Sequence, residues 1–113
     1  TEAAALPKLR KLAEDPNLEL AVNAAYTAAK ISLDPKDAAP LVNRRFLRSA
    51  DPDIRIDVAH RLQWLGPLGV PYLDALIPLL DDGDNKVVEA AVTTITYHAP
   101  EGSAAARAVA DRK

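Results

Sequence analysis

Apolar residues recur in this chain at spacings of three and four, the mark of helices that bury one face. The clearest case reads Asp51-Pro52-Asp53, then Ile54, Val58, Leu62 and Leu65 on one stripe, then Gly66 as a stop. Moved back by 36 residues, the pattern falls on Asp15-Pro16-Asn17 followed by Leu18, Val22, Tyr26 and Ala29. Moved forward by 33, it falls on Asp84, Val87, Ala91, Ile95 and His98. A period in this range marks stacked helix pairs, because one pair alone cannot bury its apolar face.

Leu6, Leu9 and Leu12 predict a first helix over about Ala5 to Glu14. Asp15 is expected to cap the second, about Pro16 to Ile31, with Pro16 at a position whose missing N–H had no helical partner. Asp34-Pro35 breaks the chain and starts a third, about Lys36 to Ala50, with Val42, Phe46, Leu47 and Ala50 on one side. Asp51 caps a fourth that ends at Gly66. Pro67, Gly69 and Pro71 lead to a fifth, about Pro71 to Leu80, apolar nearly all round and expected to kink at Pro78. Asp81-Asp82-Gly83-Asp84 turns into a sixth that runs to about His98. Ser103 then caps a terminal helix with only alanines and Val109 to bury. Nothing alternates like a strand, so the class is all-α.

Helix pairs at this period, with Asp before the second helix and proline in the first, resemble HEAT repeats. The bacterial type also found in phycobilisome-lyase proteins is the nearest form. The second repeat carries the likeness best: Asp51, Asp53, Ile54, Arg55, Leu62 and Gly66 sit where the family has its turn acid, Val-Arg pair and closing Leu-Gly. Repeat one has Glu19 and repeat three Val88 where the family has arginine. The resemblance spans about Leu6 to Pro100. It implies a right-handed α-solenoid of about three antiparallel helix pairs plus a terminal helix. The single domain over 1–113 then divides into repeats at about 5–32, 36–66 and 70–99 and a terminal helix at 103–113. Function is not implied, because the motif is structural.

Helical phase, about 100° per residue, separates the faces. Opposite the buried stripe, the face that lines the concave side in HEAT-like stacks carries Leu20, Asn23, Ala24 and Thr27 in repeat one. Repeat two places Ile56, Ala59, His60 and Gln63 there, and repeat three Glu89, Val92, Thr93 and Thr96. This surface is almost uncharged and moderately apolar, which suits a peptide or protein better than phosphates. In the first helices, Lys8, Arg10 and Lys11, then Arg44, Arg45 and Arg48, point outward, whereas the third repeat offers Asp74, Asp81 and Asp82. A convex ridge, basic at one end and acidic at the other, is expected. Its plain reading is a solvated face; its sharper one is an anionic partner, or contact with another copy or a neighbouring domain. Asp57, Arg61 and Trp64 flank the stripe, so Trp64 is expected to pack between repeats, with Arg61 paired to Asp57 four residues earlier.

Composition narrows the chemistry. At 113 residues with 49% apolar positions the chain supports a core. Its formal net charge of −2 argues against wholesale polyanion binding. With no cysteine there are no disulfides, and no apolar run approaches a membrane span of ~20 residues. The compartment is unreadable, with the cytoplasm favoured, and the ends at Thr1 and Lys113 suggest a piece of a longer protein. His60 and His98 lack ligand-spaced partners, and the acids around Gly83 lack the alternation and distal Glu of a calcium loop. No phosphate loop or nucleophile triad is present. We therefore expect no catalytic residue, cofactor or metal, though an enzyme domain could be attached. The expected function is a protein-interaction scaffold that binds on the concave face. The alternative is a nucleic-acid-binding module that uses Arg44, Arg45 and Arg48, by analogy with DNA glycosylases built on similar repeats.

Overall fold

A computed structural model describes residues 2–112, and every regular element among them is helical. Thr1 and Lys113, the ends of the expected domain and terminal helix, lie outside the described residues. The α-helices are α1 (Leu6–Leu12), α2 (Leu18–Ser32), α3 (Arg44–Leu47), α4 (Pro52–Leu65), α5 (Asn85–His98) and α6 (Ala104–Asp111). The array is elongated, 46 × 29 × 16 Å. α1 packs on α2, α2 on α4, and α4 on α5; α6 closes against α5 and the segment that precedes it.

Two of the expected α-helices take another form. The third is split into 3₁₀ turns over Pro35–Asp37 and Ala39–Val42 and then the short α3. Pro40 sits in the first turn of the second run, and Asn43, held extended, restarts the chain by accepting the Arg45 N–H at 3.0 Å. The fifth is a 3₁₀ helix over Val70–Asp81. Leu73, Leu76 and Leu79 recur at intervals of three and are buried, which is the period of that helix. In an α-helix the Pro78 ring would meet the carbonyl of Asp74. The expected kink is thus replaced by tighter winding along the whole segment.

The expected offset of 36 between the first two repeats is also corrected. Asn17, not Asp15, caps α2 and accepts the Leu20 N–H at 3.1 Å. Asp15 stands two residues earlier and accepts the N–H of Asn17 itself at 2.8 Å. With Asp51 and Asp84 as the later caps, the helices start 34 and 33 residues apart. Their C-caps Leu33, Gly66 and Ala99 are spaced by 33 throughout, and Leu33 and Gly66 share a left-handed φ of 57° and 58°. In α2 the face in the core is therefore Ala21, Val22, Ala25 and Ala29, with Leu18 and Tyr26 only partly buried against it.

One core runs the length of the stack, and Leu41, Phe46, Leu62, Leu76 and Ile95 are fully buried in it. Two contacts fix how α5 sits on α4. Small residues let the helices approach, and the Thr94 hydroxyl reaches across to the Ala59 carbonyl at 2.9 Å, with its own Ala90 carbonyl at 2.8 Å. At the helix starts, Arg55 grips Asp82 through two parallel bonds of 2.9 and 3.1 Å, and also donates to the carbonyl of Ser49. Asp82 in turn accepts the N–H of Asp84, the cap of α5, at 2.9 Å. Both partners of this pair are largely buried, at 16% and 12% side-chain exposure, so removing either would strand a charge.

Burial pushes the Asp82 carboxyl up, but the Asp84 N–H and Arg55 outweigh it and hold the group below the ordinary carboxylate range. A carboxyl lowered by folding stabilises above about pH 4, its unfolded value, and that contribution is lost as pH falls through the folded one. Asp82→Asn is expected to lower the melting temperature at neutral pH. It should also make the acid-side fall below about pH 4 shallower than in the unaltered chain, as thermal melts through the acid range would record.

Candidate partner-binding face

α2, α4 and α5 together present the surface on which the sequence placed its candidate contacts. Asn23, Ile56 and Glu89 occupy equivalent positions 33 residues apart, as do Thr27, His60 and Thr93. Leu20, Asn23, Glu89, Thr93 and Thr96 are exposed, while Thr27, Ile56, His60 and Gln63 are half-buried. Ala24 and Ala59, expected on the same open face, are buried. Ala59 is covered because α5 closes on it through Thr94.

Two open grooves cross the face. One of ≈ 520 Å³ lies between α2 and α4 and is lined by Glu19, Asn23, Asp53, Ile56, Asp57 and His60 among others. The second, ≈ 350 Å³ between α4 and α5, is lined by Ile56, His60, Lys86, Glu89, Ala90 and Thr93. Ile56 and His60 belong to both. The expectation of an almost uncharged surface is corrected here, since the first turns of α2 and α4 bring Glu19 and Asp53 to the groove.

Arg61 spans the α2–α4 seam. Its Nε bonds Asp57 at 3.0 Å, its Nη1 donates to the Asn23 amide oxygen at 3.0 Å, and its guanidinium lies 4.9 Å over the Tyr26 ring. The Asp57–Arg61 pairing is as expected. Trp64 is not: it is 56% exposed instead of packed between repeats. Arg61 and Tyr26 fill the seam and leave the indole at its rim, edge-on to Tyr26 at 6.2 Å and beside His60 at 5.8 Å. Tyr97, 33 residues on, is 73% exposed at the equivalent place. The i,i+4 spacing of His60 and Trp64 was the signal in the sequence for this aromatic group.

On the opposite ridge, Arg44 and Arg48 are exposed, but Arg45 does not stand free. Its Nη2 donates to the Ala13 carbonyl beyond the end of α1 at 2.9 Å, and its guanidinium covers Phe46 at 4.8 Å. Arg10 is held by Asp37 at 2.8 and 3.0 Å, and this hydrogen bond holds the Asp37 carboxyl below its ordinary range. The acidic end expected for the ridge is largely neutralised: Asp82 pairs with Arg55 and Asp81 with Arg112, while Asp74 accepts the Ala105 N–H. Among the described residues no group of three or more His, Cys, Asp or Glu is placed to hold a metal, and no helix is long and apolar enough to cross a membrane.

Because Trp64 keeps only a little under half of its surface out of water, Trp64→Ala is expected to cost about 1–2 kcal/mol in urea unfolding. Leu62→Ala, two residues away and fully buried, should cost about 2–5 kcal/mol. A loss above about 3 kcal/mol for the tryptophan would restore the packed-seam reading.

The family model for HEAT repeats matches residues 6–96. No curated protein and no solved structure gives a significant match.

Proposed function

The chain belongs to the HEAT-repeat family, and we propose that it is a non-catalytic scaffold module that holds a protein or peptide partner on the α2–α4–α5 face. HEAT repeats commonly serve as protein-interaction scaffolds. The observation that carries the choice of face is the meeting of two grooves at Ile56 and His60, with exposed side chains repeated at the same positions on the flanking helices. A half-buried isoleucine and an imidazole, ringed by threonine, asparagine and acids, make the apolar centre and polar rim of a protein-binding patch. This reading takes the array as a right-handed solenoid of about three helix pairs, nearest the bacterial, phycobilisome-lyase-like kind. It leaves room for a partner that is a neighbouring domain of the same chain.

Nucleic acid is disfavoured as a partner. Binding phosphates needs cations free to replace counterions, and Arg10 and Arg45 are already held by Asp37 and the Ala13 carbonyl.

Peptides selected from a random display library on the immobilised chain test the reading. Ile56→Asp and His60→Ala are expected to abolish capture, while the double variant Arg44→Ala/Arg48→Ala leaves it intact. Random duplex DNA at about 0.15 M salt should bind no tighter than the weak non-specific range of about 10⁻⁶–10⁻⁴ M. Tight DNA binding that the double variant removes would overturn the proposal.

A further inference from the structure

Glu19 and Asp53 stand on one groove from two different helices, and neither forms an ion pair among the described residues. An acid in the first turn of a helix is favoured by the macrodipole, which accounts for the sign of each charge. That role does not require the two carboxylates to open onto the same side. The third acid of the groove, Asp57, is already matched by Arg61, whose remaining bond goes to Asn23. The groove thus has two carboxylates with no counter-charge, above a floor of Ile54 and Ile56. At the adjoining rim, Trp64 lies tilted beside His60 with more than half its surface in water.

We propose that the α2–α4 groove receives an arginine or lysine side chain of the bound protein segment, with an apolar or aromatic neighbour of that residue resting on Trp64 and His60. The inference rests on the α2–α4–α5 face being the binding face, and it names the partner's chemistry there. A long cationic side chain lays its methylenes along the isoleucine floor and brings its charged head to Glu19 and Asp53. The indole supplies apolar area and a negative ring face for the same cation or its neighbour. Acidic segments and nucleic acid phosphates meet the same two carboxylates with the wrong sign. A metal ion finds too few ligands, since no cluster of three ligating side chains exists among the described residues.

The test is the composition of peptides selected from the random display library, followed by calorimetry of one synthetic winner. Enrichment of Arg or Lys beside an aromatic or aliphatic residue is expected. The double variant Glu19→Gln/Asp53→Asn should weaken the winner about tenfold, and raising salt from about 0.05 to about 0.5 M should weaken it further. Trp64→Ala should weaken it several-fold without a loss of folding, checked by its melting curve. If the winners lack cationic residues, or ignore the double variant while still depending on Ile56, the cationic reading falls and the binding face stands. If capture instead depends on Arg44 and Arg48, or no peptide is enriched, both readings fall.

Discussion

Arg55 is the side chain on which the arrangement of the stack depends. Its guanidinium holds the turn before its own helix, through the Ser49 carbonyl, and the turn before the next, through Asp82. Asp82 passes the constraint on by accepting the N–H of the residue that caps α5. With so little of either side chain in water, loss of one partner would leave the other charge unmatched, so the pair ties the two turns to each other. With the starts of α4 and α5 tied together and Thr94 joined to Ala59 farther along, Ile56 and Glu89 take equivalent places on one face.

The two seams of that face differ in what fills them. Between α4 and α5 the side chains are small, and one hydroxyl satisfies the contact, so the helices close until Ala59 is wholly buried. Between α2 and α4 the filling is long and polar: Arg61 reaches to Asn23 and lies over Tyr26. A seam held by an extended arginine leaves a larger groove beside it, ≈ 520 Å³ against ≈ 350 Å³. The same filling displaces Trp64 to the rim, where its ring is available to a partner.

How much of this was legible in the chain follows from which forces set each element. α4, α5 and α6 were readable because an Asp or Ser cap and a 3.6-residue stripe agree there. The start of α2 was misplaced because Asp15-Pro16-Asn17 copies Asp51-Pro52-Asp53 in letters, while the cap is the asparagine. The stretch from Pro71 to Leu80 reads as an ordinary helix because it is apolar nearly all round, which hides the interval of three between leucines 73, 76 and 79 that fits a 3₁₀ winding. The candidate face was legible from phase alone for Asn23, Ile56, His60 and Glu89. The exposure of Trp64 and the tethering of Arg45 were not, since both depend on residues more than thirty positions away.

The central claim is that a partner segment lies across α2, α4 and α5, and amide chemical-shift mapping of the isotopically labelled chain tests it most directly. On titration with a peptide selected against the chain, the account predicts the largest shifts at Asn23, Ile56, His60, Arg61 and Glu89, with Lys11, Arg44 and Arg48 unmoved. Shifts concentrated at Lys11, Arg44 and Arg48, with the Ile56 and His60 amides unchanged, would contradict it.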